Sequence, residues 1–324
     1  IYSRLANSSQ LRDTGYSMNS LSALSVDRTY DSLNRLESIT GTPAVGGADS
    51  TTYLHDAAGR RERATRADGS YWEFGYNDRS EVISGSKYLS GGTPVPGMNY
   101  GYTFDGIGNR TETQANGRTA VYTPNEVNQY ERRTIPGAID FFGEADPAAT
   151  VTVNGASPVW QGNSFYAEVP VSNQYTSTYS LLTVDADDGT NSEMLSGRRF
   201  LPQSPEVFVH DGDGNLLEDG RWLYTWNGEN RLIRMETSPD AVDVGVPARR
   251  VSFAYDYMGR RIHKQVERDL NGQWELMHDR YFIYDGWNLI AERDADGDLV
   301  RTYTWGEDLS GTESGAGGVG GLLA

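Results

Sequence analysis

The sequence predicts an all-β fold, an antiparallel up-and-down meander of hairpins with a small β-sandwich inserted into one connection. Three observations predict it. A four-residue polar turn signal recurs along the chain, aromatic residues stand at fixed offsets before it, and a second, shorter turn signal alternates with it.

The first signal is Asp or Asn, two arbitrary residues, then Gly, Asn or Ser. It occurs at Asp31–Asn34, Asp56–Gly59, Asn77–Ser80, Asp105–Gly108 and Asn125–Asn128. It resumes at Asp211–Gly214, Asn227–Asn230, Asp256–Gly259 and Asp285–Asn288. A type I turn wants these residue types. Asp or Asn at the first position bonds the backbone ahead, and Gly or Asn at the fourth accepts the left-handed conformation that follows. In a hairpin the pair makes a type I turn with a bulge.

The residue before each turn is aromatic or His (Tyr30, His55, Tyr76, Phe104, His210, Trp226, Tyr255, Tyr284), with Pro124 as the exception. Two residues earlier stand Tyr53, Phe74, Tyr102, Tyr122, Phe208, Tyr224, Phe253 and Phe282, with Arg28 as the exception. Residues two apart share a strand face, so each unit delivers two rings to one face before it turns. Arg or an amide usually follows the turn, as in Asn34-Arg35-Leu36 and Gly259-Arg260-Arg261.

The second signal is Asp68-Gly69, Asn116-Gly117, Asp219-Gly220, Asn271-Gly272 and Asp296-Gly297, the dipeptides of tight primed hairpins. Alternation of the two signals at strand-length spacing puts one turn class on each rim. Gly41–Gly47, Ser90–Gly97 and Ser238–Pro247 read as longer connections on the second rim.

Between Asn125 and Asp211 the repeat lapses. Ala149–Asn154, Phe165–Val171 and Tyr179–Asp185 alternate like strands there, and Pro136-Gly137 and Pro202–Pro205 bracket them. An inserted immunoglobulin-like β-sandwich is the expectation, with an elongated hairpin pair as the alternative. The domain reading is therefore repeats over 1–135, insert over 136–205, and repeats over 206–324.

Composition limits function. The 324 residues are 37% hydrophobic with a mean hydropathy of -0.59, while 20 Tyr, 9 Phe and 7 Trp supply the bulky rings. Net charge is -17, which repels phosphate backbones and anionic membranes, so nucleic acid is not an expected partner. The bases are almost all Arg, with Lys87 and Lys264 the only lysines; bidentate carboxylate pairing or, equally, genomic base composition would produce that bias. With 0 Cys there is no disulfide framework and no thiol nucleophile. No run of about 18 apolar residues spans a membrane. Ile1 opens mid-pattern and Gly317–Ala324 is Gly-rich, so a piece of a longer protein is expected.

The units Tyr30-Asp31-Ser32-Leu33-Asn34-Arg35-Leu36 and Tyr255-Asp256-Tyr257-Met258-Gly259-Arg260-Arg261 resemble the tyrosine–aspartate (YD) repeats of bacterial Rhs proteins. So do Asp211–Leu216 and Trp226–Leu232, and the match recurs across residues 30–288 outside the insert. Tyr303–Gly306 with Asp308–Gly311 is similar to the segment leading into the Rhs core. The resemblance implies a β-sheet coiling into part of a hollow shell. In polymorphic toxins that shell encloses a C-terminal toxin or effector domain, and teneurins use a related shell at cell surfaces. Secretion or display at a bacterial cell surface follows as an expectation. The family's aspartyl self-cleavage region has no counterpart here, so no cleavage residue is carried over.

No catalytic, cofactor-binding or metal-binding residue is assigned. His55 and His210 take the ring slot before a turn; His263 and His278 could face each other across the Asn271-Gly272 hairpin, a pair without a third ligand. Asp211-x-Asp213-x-Asn215 and Asp294-x-Asp296-x-Asp298 have calcium-loop spacing, but Trp222 and Trp305 stand where the loop needs Glu. No carboxylate pair, Ser elbow or phosphate loop stands out. The expectation is a structural segment that is not an enzyme. The rival reading is a carbohydrate-binding or adhesion module whose aromatic ladder meets glycans or cell-surface proteins. If the Asp-rich loops are turns only, calcium leaves the melting temperature unchanged in differential scanning calorimetry; a large calcium-dependent rise contradicts the turn reading.

Overall fold

The computed structural model describes residues 2–4, 11–18, 21–307, 310–312, 315, 317–318 and 321–322, with side chains from residue 24 onward. Asp308 and Leu309, part of the resemblance to the pre-core segment, lie outside the described residues. Two compact units divide the chain: Ile1–Val121 with Asp140–Glu168 and Asp185–Glu193, and Tyr122–Ile139 with Val169–Val184 and Met194–Ala324.

The expected all-β meander is present. In the first unit every strand from Tyr2–Arg4 to Arg118–Val121 pairs antiparallel with the next in sequence. In the second unit Tyr122–Pro124 pairs with Tyr130–Arg133, which pairs with Glu206–Val207. A 9-stranded sheet then runs in chain order from Val209–His210 to Leu299–Thr302. Connections this short allow no other neighbour, since a strand that reverses through a few residues must pair with its predecessor.

Strands Ala138–Glu144, Thr150–Val153, Val159–Gln161, Ser164–Pro170, Thr178–Asp187 and Ser192–Leu201 fall within residues 136–205 and pair into two 3-stranded sheets that share no strand with the longer ones. The first, third and last were not visible in the sequence pattern. Val159–Gln161 is 3 residues long, and Ser192–Leu201 is exposed along most of its length, so neither shows a two-residue hydrophobic rhythm.

Several turn assignments change. The backbone of the first class holds at every unit from Asp31 to Asp256: the first N–H donates to the fifth carbonyl and the fourth N–H back to the first carbonyl. The fourth residue has positive φ, from Asn230 at 56° to Gly108 at 97°. Register slips by one residue just before the turn, between Thr29 and Tyr30, Leu54 and His55, or Ala254 and Tyr255. Asp285–Asn288 departs from this. Asp285 pairs directly with Asn288 across Gly286-Trp287, and of those two only Gly286 has positive φ, as in a type II′ hairpin. The Asp-x-x-Gly geometry instead appears at Asp294–Gly297.

Among the second-class signals, Asn116-Gly117 and Asn271-Gly272 are primed turns with both residues at positive φ. Asp68-Gly69 and Asp296-Gly297 are not; each closes a type I turn begun at Arg66 or Asp294, with only Gly left-handed. Asp219-Gly220 is a tight turn with neither residue at positive φ. The expected loop Ser90–Gly97 is shorter than read, since a strand resumes at Pro94. Ser238–Pro247 contains the helix Pro239–Asp243, capped by Ser238 Oγ accepting from Ala241 N at 3.2 Å.

The fully enclosed core is small. Val95, Val151, Val153 and Phe165 are buried in the first unit. In the second, Phe200, Ala241 and Val246 cluster with Tyr179 and Val244. Val153, 1% exposed, tests how much this core holds. Val153→Ala removes two buried methyl groups and is expected to cost about 2 kcal/mol, read from the urea midpoint at unchanged slope.

Candidate functional surface: the turn rim, its arginines and the ring face

Each first-class turn is organised by one oxygen. Oδ1 of the leading Asp or Asn accepts the N–H groups two and four residues ahead: Leu33 and Arg35 onto Asp31, Ala58 and Arg60 onto Asp56, Val127 and Gln129 onto Asn125, Met258 and Arg260 onto Asp256, all at 2.9 to 3.0 Å. Two backbone donors that face outward at a hairpin end are thereby satisfied. Asp211 and Asp294, the calcium-spaced residues, spend Oδ1 in the same way. No cluster of three acidic or imidazole ligands occurs among the described residues.

The second side-chain atom of the leader meets the fifth residue, and the pairs are complementary. Asp leaders accept from donors, as in Arg35 Nε to Asp31 and Arg60 Nε to Asp56 at 2.7 Å, and Asn109 and Asn215 to Asp105 and Asp211 at 2.9 Å. Asn leaders donate to acceptors, Asn77 to Glu81 and Asn125 to Gln129. Asn227 followed by Arg231 breaks the rule, and Arg231 pairs instead with Glu229. These bonds hold the Asp carboxyls below the usual range. The leading cause at Asp31 and Asp56 is the backbone N–H of the fifth residue; at Asp105 and Asp211 it is the Asn side chain. At Asp256 burial pushes upward, and the Arg260 bonds outweigh it.

Arginines then link one turn to the next. Arg35 Nη1 donates to the Asp56 carbonyl at 3.2 Å, Arg60 to Asn77 at 2.9 Å, Arg79 to Asp105 at 2.5 Å and Arg231 to Asp256 at 3.3 Å. Arg260 reaches the Gly286 carbonyl. Arg60 and Arg260 also cap rings, Tyr76 at 4.7 Å and Tyr284 at 5.2 Å, and their chain neighbours do the same, Arg61 over Tyr53 at 4.3 Å and Arg261 over Phe282 at 5.1 Å. The post-turn Arg that the sequence showed only as a frequent follower is thus a rung between units. Arg79 takes that role from inside the Asn77–Ser80 turn, where Glu81 holds the fifth position.

The rings lie on one face as expected, with intervening residues such as Leu54 and Ile283 turned out to solvent. Most are half-buried rather than enclosed. Tyr76, Tyr255 and Tyr284 donate their hydroxyls to the carbonyls of Arg61, Leu232 and Arg261, and Trp226 Nε1 donates to Leu216, each five residues past the preceding turn leader. Trp72 lies parallel to Phe74, with centroids 6.3 Å apart and planes 7° apart, and stacks on Tyr100 at 6.1 Å. With Val82, Gly85 and Tyr102 these rings line a concavity of about 320 Å³.

The histidine expectation is corrected. His263 lies opposite Tyr281, and His278 opposite Val266, because the register set at the Leu270–Gln273 end of the hairpin already offsets the two histidines, and a bulge at Val266/Glu267 widens the offset by one residue. His263 Nε2 meets Asp279 Oδ1 at 2.5 Å, and its ring stacks on Tyr281 at 4.3 Å. In the first unit Arg118, just past the Asn116-Gly117 turn, chelates Asp140 at 2.6 Å and reaches Glu168. Tyr166 donates to the same Asp140 at 2.6 Å, and burial, with that bond, pushes the Tyr166 hydroxyl up to about 12. Neither cluster was legible in sequence, since each depends on partners at least 16 residues away.

No family model matches the chain. Among curated proteins it is 28% identical over 137 residues to the tRNA3(Ser)-specific nuclease WapA of Bacillus spizizenii, covering 40% of this chain and 5% of that protein. It is 26% identical over 126 residues to the tRNA nuclease WapA of Bacillus subtilis, covering 37% and 5%. The chain thus spans about one twentieth of those relatives. A crystal structure of TcdB2-TccC3-Cdc42 aligns over 91% of the chain and 18% of its own, at 12% identity and a TM-score of 0.35.

The rim makes a contrast testable by thermal denaturation. Asp56→Asn lowers Tm at neutral pH, because Arg60 offers the new Nδ2 no acceptor; Asp105→Asn leaves Tm nearly unchanged, because Asn109 can turn its amide to accept. Since the folded Asp56 pKa is depressed, its contribution is present above the unfolded value and is lost as pH falls through the folded one. The Asp56→Asn deficit therefore shrinks below about pH 4.

Proposed function

We propose that the chain is a non-catalytic structural segment of a bacterial Rhs-type, YD-repeat protein. In this reading it forms part of a shell that encloses or presents a C-terminal toxin or effector domain of the parent, which is secreted or displayed at the cell surface. The observation that carries the reading is the interchange of residues within a constant geometry. Asp or Asn leads the turn; Tyr, Phe, Trp or His fills the ring slot; Arg, Asn, Gln or Glu takes the fifth position. A reacting group tolerates no such exchange, whereas a hydrogen-bonding position does. The partial similarity to WapA nucleases supports a toxin context, with the nuclease activity named for those proteins assigned to parts outside this segment. An inserted β-sandwich over about residues 136–205 belongs to the same proposal.

A second reading is favoured by the parallel rings of Trp72, Phe74 and Tyr100, which offer flat apolar faces of the kind that stack on sugars. Two measurements separate the readings. Purified chain incubated with tRNA and general hydrolase substrates is expected to be silent, and turnover that follows the chain through purification defeats the structural reading. A glycan array is expected to show no saturable binding; binding abolished by Trp72→Ala with the strand signal intact would establish the second reading instead.

A further inference from the structure

Within the first unit a separate cleft of about 200 Å³ opens between the strand Pro94–Phe104 and the strands Ala138–Glu144 and Ser164–Pro170. Its walls include Val95, Met98, Phe142 and Tyr166. Gly97, at φ 77°, lets the last two rings rest on the backbone, where a Cβ would collide with both. Tyr166 is held in turn by Asp140, itself fixed by Arg118, so this wall is braced. Two charged side chains of opposite sign, Lys87 and Glu144, complete the lining. Among the described residues neither makes a hydrogen bond or ion pair, although Asp68 feels the Lys87 charge. That is unusual in a chain whose other basic groups are largely tied to carboxylates, carbonyls and rings.

A hollow of this size holds roughly the volume of six or seven waters, at about 30 Å³ each. It is smaller than the roughly 300 Å³ or more that drug-sized ligands occupy. One apolar side chain fits it. We propose that the cleft binds an α-amino acid with a large aliphatic or aromatic side chain, its carboxylate on Lys87, its ammonium on Glu144, and its side chain against Val95, Phe142 and Tyr166. Lys87, half-buried, serves as a point-charge partner for the carboxylate, a contact that the apolar walls strengthen, while Glu144 stays exposed and meets the ammonium at the mouth. This site is independent of the shell reading.

Isothermal titration of the whole chain with L-leucine and L-phenylalanine tests it, with leucinamide and N-acetyl-leucine as probes lacking one charge each. At least one amino acid is expected to bind saturably at one site, with each probe weaker than L-leucine by about tenfold or more, the equivalent of one lost charge contact at 1.4 kcal/mol. Lys87→Met is expected to weaken the amino acid similarly and to leave leucinamide unchanged. No saturable heat from either amino acid up to about 10 mM, beyond the millimolar affinity that three small contacts supply, overturns the proposal. So does a probe that binds as tightly as leucine. If Lys87→Met fails to fold, the probes on the unaltered chain decide alone.

Discussion

One side-chain oxygen at the head of each rim turn is the constraint on which the rest depends. By accepting two backbone N–H groups that point away from the neighbouring strand, the Asp or Asn leader closes the turn and leaves the fourth residue left-handed. The left-handed residue imposes the one-residue slip before the turn. That slip decides which side chains of the next strand share a face with the preceding rings. An error at the leader would propagate, because a one-residue change of register exchanges the two faces of a strand.

Arginine carries the order from unit to unit. Its fork lets one guanidinium bond a carboxylate within its own turn, a carbonyl in the next turn and the face of a ring at once, as Arg60 does with Asp56, Asn77 and Tyr76. Lysine, a single point donor, could not fill the three roles together. A chain with a net charge of -17 therefore places much of its positive charge on the rim and over the rings. Local pairing of carboxylates with guanidinium and amide donors makes that acidic balance compatible with a compact sheet.

The thin core follows from the same economy of means. The meander buries many of its rings partly under an arginine and partly against the adjacent strand, so few of the described residues are sealed away completely. Where full burial does occur, it is local: Val153 and Phe165 in one unit, the Phe200–Ala241–Val246 cluster in the other. Aromatic side chains suit this regime. Each keeps a polar edge or hydroxyl that reaches a carbonyl across the strand, as Tyr76 and Tyr255 do, while its face stays apolar.

The sequence alone determined the meander, the rim turns from Asp31 to Asp256, and the face the rings share. All of these depend on residues within about five positions of one another, through turn hydrogen bonds and the two-residue strand period. It also showed where the repeat lapses. Tertiary structure decided the remainder. Whether the dipeptide closes a primed or a type I turn was settled by how the flanking strands pair: Asn116 and Asn271 are left-handed, whereas Asp68 and Asp296 are not. The hairpin register kept His263 from facing His278, and a single bulge placed Asp279 on the face of His263. The Arg118–Asp140 clamp, the parallel rings at Trp72 and the cleft at Lys87 join residues far apart in the chain. Their positions follow from the summed register of many strands, and no local pattern encodes that sum.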